Sequence, residues 1–166
     1  MQPCLSPSDL PPLLDTGATV VASIWGGSVD DYARAAEALA DAPDGVVAVE
    51  VNVSCPNLED RGSMFAHSRS ATAEVIDASR PANRPMWAKL SPNAAALPEL
   101  PIVGVGGTSS GADVVEFLLA GASAVEVGTA TFADPRAPRR ILGEFEQWCT
   151  RNGVGSVAEL IGGAHG

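Results

Sequence analysis

The sequence contains few cysteines and a single lysine. Its three cysteines, Cys4, Cys55 and Cys149, form no C-x-x-C pair, and no histidine stands at zinc-ligand spacing. This pattern argues against a disulfide framework and against a structural metal site. The ten basic residues are nine arginines and Lys89. Because the only lysine lies inside a short apolar segment, we expect its ammonium group to have a role there that an arginine guanidinium does not fill.

Long apolar runs are also absent. No run reaches the roughly 18 residues that a membrane-spanning helix needs. The start of the sequence, Met1-Gln2-Pro3-Cys4, lacks the basic-then-apolar pattern of a secretory signal peptide. We therefore expect a cytoplasmic protein.

Positive charge is scarce, and the formal net charge is -10 at pH 7 with a pI near 4.4. The long-range field of such a chain repels phosphate backbones and anionic lipids, so we expect neither nucleic acid nor a membrane as partner. A solvated acidic surface accounts for the charge without any further partner.

Five short segments rich in β-branched and small apolar residues are predicted to be strands. Helical patterns lie between them, and Ser28 and Ser110 each open a helix with an acidic residue three positions later. Strand, helix and strand in series favour parallel pairing, which makes the fold class α/β. The five segments are Thr19–Ile24, Val46–Val53, Met86–Leu90, Ile102–Val105 and Ala124–Gly128.

The last part of the chain predicts two further helices. A long helix begins near Pro138 and stops at Gly153. A third capping-box pattern, from Ser156 to Glu159, predicts a short helix over Ser156–Ile161. The buried stripe of the long helix is predicted to consist of Ile141, Leu142, Phe145, Trp148 and Cys149.

The segment from Val49 to Asn57 places amide and thiol side chains at the end of a predicted strand. Valines alternate with polar residues up to Val53, and Pro56 cannot continue a strand, so Cys55 follows the carboxyl end of that strand. A lone cysteine is more often a small buried apolar residue. At a strand end, however, a thiol with a pKa near 8.5 can act as a base if its surroundings lower that pKa.

This segment resembles the active-site strand and loop of the dihydroorotate dehydrogenases, in the class 1 branch that uses cysteine where the membrane-associated branch uses serine. Three further segments follow in that family's order, Met86–Asn93, Pro101–Gly107 and Ala120–Ala130. The resemblance implies a (β/α)8 TIM barrel, which typically takes about 250 residues.

At 166 residues and about five strands, we expect an incomplete barrel that forms a single domain over 1–166. Relative to the family, the chain is shortened at its N-terminus and between Asn93 and Pro101. The seven residues of that bridge cannot hold a βαβ crossover, which needs about a dozen residues or more.

The resemblance also implies roles for individual residues. Cys55 is the general base that removes the C5 proton of dihydroorotate while hydride leaves C6 for FMN. Asn52 contacts both flavin and substrate, and Asn57 belongs to the polar shell of the substrate. Lys89 lies near the flavin N1–O2 edge, where reduction develops negative charge. Ser23 departs from the family, because many relatives carry a flavin-contacting asparagine there.

A turn-forming side chain is the alternative for either asparagine, favoured for Asn57 and not for Asn52. For Lys89, the alternative is that the side chain extends outward along the surface to reach solvent.

Small residues after the last two predicted strands indicate a phosphate site. Gly106 and Gly107 follow one strand, and Gly128 and Thr129 follow the next. Converging backbone N–H groups at such strand ends, with those of the helix that Ser110 begins, bind phosphate in many barrels. We expect these residues to hold the FMN phosphate, although the pattern specifies a phosphate rather than a reaction.

The function implied by the resemblance is the FMN-dependent oxidation of dihydroorotate to orotate in de novo pyrimidine biosynthesis. Implied partners are a second copy of the chain, as a homodimer, and, in one branch, an iron–sulfur flavoprotein subunit that passes electrons to NAD. Three alternatives stay open: a non-catalytic remnant that binds phosphate or flavin weakly, a dihydropyrimidine dehydrogenase-like module, and an incomplete reading of a longer gene.

Overall fold

The structure is a computed structural model that describes residues 10–54, 65–90 and 100–165. The chain divides into two compact units, Met1–Leu97 and Pro98–Gly166. The single domain expected over 1–166 stays a prediction. In the described ranges, no helix is both long and apolar enough to cross a membrane.

The first unit alternates helices and strands and forms a parallel sheet in the order β1-β2-β3. Its elements are α1 (Leu10–Leu14), β1 (Val20–Ile24), α2 (Val29–Leu39), β2 (Val46–Asn52), α3 (Arg69–Ala78) and β3 (Met86–Lys89), with short 3-10 turns at Phe65–His67 and Arg80–Ala82.

The second unit pairs two strands in parallel and packs helices beside them. Its elements are β4 (Val103–Val105), α4 (Gly111–Leu119), β5 (Ala124–Glu126), α5 (Ala130–Ala133) and α6 (Ala137–Asn152), followed by 3-10 turns at Val157–Glu159 and Gly163–His165. The α/β class, the five predicted strands and their parallel pairing are confirmed.

The carboxyl half of β2 is held in register by two buried valines of the strand and by a third that directly follows it. Val49, Val51 and Val53 are each 0% exposed and pack with Tyr32 of α2 and Val75 of α3. Full burial of one such side chain contributes roughly 1.5–3 kcal/mol. Because strand side chains alternate between faces, a slip of one residue would expose all three valines. Their burial therefore fixes which side chains β2 presents on its opposite face.

The predicted capping boxes of α2 and α4 are both confirmed. In α2, Ser28 Oγ accepts from Asp31 N at 3.3 Å, and Asp31 Oδ2 accepts from Ser28 N at 3.1 Å and Gly27 N at 3.0 Å. The hydrogen bond from the Ser28 hydroxyl, followed by those from the two amides, lowers the pKa of Asp31. These bonds satisfy amides that the first turn of a helix leaves without partners.

The start of α4 is capped by two carboxylates. Asp113 Oδ2 accepts from the amides of Ser109 and Ser110, both at 2.8 Å, and Glu144 Oε2 of α6 accepts from Gly111 N at 2.9 Å. Arg140 forms a salt bridge with Glu144, with 2.6 Å between Arg140 Nη1 and Glu144 Oε1. The Gly111 amide, and then Arg140, lower the pKa of Glu144.

Helices α4 and α6 approach closely at Gly111. A Cβ atom on Gly111 would lie 2.4 Å from the backbone nitrogen of Phe145, so the contact requires glycine. The core beside this contact consists of Val115, Leu118, Phe145 and Leu160.

Two expectations for the end of the chain are wrong. Leu142 was expected in the buried stripe of α6 but is 55% exposed, whereas Ile141 and Phe145 are buried and Cys149 is partly buried. The helix expected over Ser156–Ile161 is only the 3-10 turn Val157–Glu159, because Ser156 accepts from the second amide of that turn instead of closing a capping box.

Gly111→Ala is expected to destabilise the protein, since the new methyl group meets backbone atoms of α6 that cannot rotate away. We expect a loss of about 1–3 kcal/mol in the free energy of unfolding, measured by urea denaturation. Gly143→Ala is the matched control, because a Cβ on this α6 glycine meets nothing within 4 Å. It should be neutral or stabilising by up to about 1 kcal/mol. Equal effects of the two substitutions would contradict the close contact.

Glu144→Gln is expected to lower the melting temperature at neutral pH and to lose this effect in acid. The pKa of Glu144 is lowered in the folded state, so its ionised form adds stability above its ordinary pKa of 4.5. That stability disappears as pH falls through the lowered folded value. The check is thermal unfolding from pH 7 to pH 3, with Glu146→Gln on the same helix as the charge-matched control. A difference from wild type that persisted at pH 3 would refute this assignment.

Candidate functional site

The carboxyl edge of the first sheet gathers polar side chains on one face. Asn52, the last residue of β2, pairs with Lys89, the last residue of β3. One row earlier on the same face, Glu50 pairs with Ser23 of β1 and with Trp87 of β3. Parallel pairing and the two-residue period of strands therefore place an amide, an ammonium and a carboxylate together.

Asn52 is held by local and long-range hydrogen bonds. Its Oδ1 accepts from Ser54 N at 3.2 Å and from Ser54 Oγ at 2.8 Å, which forms a turn after the strand. The expectation that Asn52 does not take a turn-forming role is thus wrong. The turn fixes the side chain at the point where the chain leaves β2 for Cys55.

Tyr32 ties α2 to the same edge and was not predicted to do so. Its ring is fully buried and meets Phe65 edge-on, with centroids 5.8 Å apart, while its hydroxyl donates to the carbonyl of Asn52 at 2.6 Å. The sequence signal was available, because a buried tyrosine hydroxyl requires a hydrogen-bond partner. The helical pattern identified Tyr32 only as an apolar position.

Lys89 is partly buried, and its ammonium has no hydrogen-bond or ion-pair partner in the portion of the chain that the structure describes. Its carbonyl accepts from Val53 N at 3.3 Å, which continues the pairing of β3 with β2 past Asn52. A cation at a strand edge with no protein anion bound to it is able to attract an anionic group of a ligand.

Ser23 donates its hydroxyl to Glu50 Oε1 at 2.6 Å. This bond across β1 and β2 engages Ser23, the residue at which the sequence was expected to depart from the family. Glu50 was not among the predicted site residues, although its position two residues before Asn52 places it on the same face.

The second unit brings the predicted phosphate-binding residues to neighbouring strand ends. Val105 pairs with Glu126, so the loops that follow β4 and β5 leave the sheet side by side. Gly106 and Gly107 have φ of 108° and 77°, a backbone conformation that favours glycine. A Cβ at these two residues or at Gly128 would meet nothing within 4 Å. Open space beside bare backbone is what a phosphate cradle requires.

Helix α4 has fewer unengaged amides to offer the predicted phosphate site than its sequence position suggests. Its first amides already donate to Asp113 and Glu144, and those carboxylates oppose a second anion at the helix end. The accessible donors are therefore the loop amides rather than the end of α4. Thr108, which the sequence did not single out, lies in this loop, and its side chain is buried.

The predicted residues fall into two groups in separate units. Asn52 and Lys89 lie in the first unit, and the glycines with Thr129 lie in the second. Cys55 and Asn57 lie outside the described residues. Among residues 10–54, 65–90 and 100–165, no cluster of three histidine, cysteine or acidic side chains is arranged to hold a metal ion.

Comparison with known proteins identifies the family. The dihydroorotate dehydrogenase family profile matches residues 11–98 and 94–148. The catalytic subunit of dihydroorotate dehydrogenase B (NAD(+)) from Geobacter metallireducens is 31% identical, over 92% of this chain and 70% of the relative. A putative dihydroorotate dehydrogenase A (fumarate) from Solibacter usitatus is 32% identical over the same shares.

Solved structures show the same fold. Two Eimeria tenella DHODH crystal structures, one in complex with ferulenol and one of the ligand-free type, superpose with TM-scores of 0.63 and 0.65 at 18% and 16% identity. The matches cover 82% and 86% of this chain but only 58% and 62% of those chains. The chain thus spans less than two thirds of the proteins that it superposes on.

The parallel strands, the match to solved structures and the match of the sequence all indicate the same family. The protein is a member of the dihydroorotate dehydrogenase family, and its fold is an incomplete (β/α)8 barrel of that family.

Proposed function

We propose that this protein takes part in the FMN-dependent oxidation of dihydroorotate to orotate, a step of de novo pyrimidine biosynthesis, and that it belongs to the cysteine-using class 1 branch. The observation that carries the proposal is the pairing of Asn52 with Lys89 at the carboxyl edge of the sheet. Cys55, the base expected in this branch, follows Asn52 by three residues in the sequence. Active sites of barrel enzymes lie at this end of their strands.

Two sets of residues, each considered within its own unit, have chemistry that suits a part of FMN. Gly106, Gly107 and Gly128 leave open space beside backbone amides, which suits a phosphate. Lys89 offers a cation with no described protein partner, which suits the electron-rich edge of an isoalloxazine ring. When bound, FMN supplies the acceptor for the hydride of the substrate.

The chain's own residues have the following proposed tasks. The Cys55 thiolate takes the proton from C5 of dihydroorotate, which requires a thiol pKa lowered toward ambient pH. Asn52 orients the ring of the substrate beside the flavin, and Asn57 completes its polar shell. Lys89 holds a fixed positive charge where negative charge develops, so it stabilises the reduced cofactor electrostatically.

The proposed partners follow from the relatives. One is named as the catalytic subunit of an NAD(+)-linked enzyme, which supports an electron-transfer subunit, proposed to be an iron–sulfur flavoprotein. Another is named for fumarate, which supports a soluble acceptor instead. We further propose a homodimer and a cytoplasmic location.

A shortened form of the family is also proposed. The alignment with the Geobacter metallireducens relative runs over 215 positions, more than the 166 residues of this chain. The two segments that match the family profile meet at residues 94–98, within the predicted bridge. Both observations support missing residues near this junction.

A second candidate is a non-catalytic remnant that binds phosphate or flavin weakly. The observation that favours it is the division of the described strands into a sheet of three and a sheet of two. Strand residues Val21, Trp87 and Val105 are also exposed, as expected where a barrel wall is incomplete.

Cys55→Ala is expected to abolish the reduction of bound flavin by dihydroorotate, with a loss of roughly 100-fold to 10,000-fold in rate, because the general base is gone. The measurement is anaerobic stopped-flow bleaching of the flavin absorption. Cys149→Ala, at a partly buried position of α6, is the matched control and should react at the wild-type rate. Unchanged reduction in Cys55→Ala would refute the assigned base.

Lys89→Met is expected to make flavin reduction less favourable, because the fixed cation that stabilises the reduced form is removed. Lys89→Arg keeps the charge with a different shape and should fall between Lys89→Met and wild type. The measurement is the midpoint potential of the bound flavin by dye-coupled titration. A potential in Lys89→Met equal to that of wild type would show that this ammonium does not face the flavin.

A further inference from the structure

Two residues of opposite charge lie near each other on the first sheet without forming a salt bridge. Glu50 of β2 pairs with Trp87 of β3, and Lys89 follows Trp87 by two residues, so Glu50 and Lys89 share one face. Strand geometry places their Cα atoms about 8 Å apart, which is within reach of two long side chains. The structure nevertheless contains no salt bridge between them. Opposite charges at this spacing attract, so their separation needs a physical cause.

Ser23 of β1 provides that cause. It pairs with Glu50 and donates its hydroxyl to Glu50 Oε1 at 2.6 Å. The sheet order β1-β2-β3 places Ser23 on one side of Glu50 and Lys89 on the other. The hydrogen bond therefore draws the carboxylate toward β1 and away from the ammonium. A hydrogen bond to an ionised acceptor contributes more than an exposed ion pair between two flexible side chains, so the carboxylate favours Ser23.

Lys89 consequently keeps its positive charge for another partner. In the part of the chain that the structure describes, its ammonium has no hydrogen bond or ion pair. Glu50 is the only acidic residue of β1, β2 and β3. Pairing with Glu50 would cancel much of the field that Lys89 presents to a ligand. The hydroxyl of Ser23 thus controls whether this edge of the sheet is cationic.

We propose that Ser23 is a positioning residue that holds Glu50 away from Lys89 and so keeps the Lys89 ammonium available to an electron-rich or anionic group of a ligand. Ser23 acts through Glu50 rather than by contact with that ligand. The proposal rests on the proposed function, in which the group is the isoalloxazine ring of FMN. It gives that site a determinant on β1, a strand to which the sequence assigned no binding residue.

The first test uses the fact that Lys89 is the single lysine of the chain. The rate at which acetic anhydride acylates Lys89 at fixed pH is measured by peptide mass spectrometry on the full chain without cofactor. We expect Ser23→Ala to slow this acylation by roughly 2-fold to 5-fold, because Glu50 then pairs with the ammonium and keeps it protonated. Ser23→Thr keeps the hydroxyl and should react as wild type does. An unchanged rate in Ser23→Ala would overturn the proposal.

Glu50→Gln separates ion pairing from a change in the accessibility of Lys89. Without the carboxylate, Ser23→Ala should no longer slow acylation, so the double variant should react at the rate of Glu50→Gln alone. The same slowing in both backgrounds would show that Ser23 does not act through Glu50, and the proposal would fail.

The second test measures dissociation constants for oxidised and for reduced FMN under anaerobic conditions. Ser23→Ala should weaken binding of reduced FMN by roughly 2-fold to 5-fold more than binding of oxidised FMN, because the reduced ring carries the charge that Lys89 stabilises. Ser23→Thr should keep the ratio of wild type. An equal ratio in Ser23→Ala and wild type would overturn the proposal. If wild type bound no FMN but the acylation results held, the proposed function would fail while the control of Lys89 by Ser23 would stand.

Discussion

The register of β2 is the constraint on which the first unit depends. Val49, Val51 and Val53 are fully buried against the helices, so the alternate residues Glu50 and Asn52 must occupy the other face. Parallel pairing with β3 then sets Asn52 beside Lys89 without any direct bond between the two side chains being required. The apolar core thus determines the placement of the polar edge. Because the burial of three valines outweighs the few hydrogen bonds at the edge, substitutions at the edge should change chemistry more than folding.

In the second unit, the loop after β4 lies directly before the start of α4, and the two segments use their backbone amides differently. Carboxylates from Asp113 and Glu144 occupy the first amides of α4, and the resulting hydrogen bonds lower the pKa of both groups. This arrangement stabilises the packing of α4 on α6 and removes the helix end from use by an anionic ligand. The glycines after β4, which carry no side chains, are left as the place where a phosphate can approach the backbone. The residues that cap α4 are therefore distinct from the glycines that are proposed to bind phosphate.

Local signals in the sequence predicted most of the fold. Short runs of β-branched and small apolar residues located all five strands to within about two residues, and the Ser28 and Ser110 boxes located two helices, because both signals depend on nearby residues alone. Features set by tertiary context were missed or wrong. Leu142 has a helical spacing that suits the buried face, yet α6 packs through Ile141 and Phe145 instead. The turn at Asn52 and the buried hydroxyl of Thr108 depend on where the chain goes next, which periodicity does not encode. The pairing of Asn52 with Lys89 was not predicted, since no pattern of residues specifies which strands are neighbours; the family resemblance implied only that each of them contacts flavin.

The proposal that matters most is that this chain, which spans less than two thirds of the solved structures it superposes on, still binds FMN. The most direct measurement is the visible absorption spectrum of the purified protein after equilibration with FMN and removal of free cofactor by gel filtration. The account predicts an oxidised flavin spectrum at close to one FMN per chain. A folded protein that emerged colourless would contradict it.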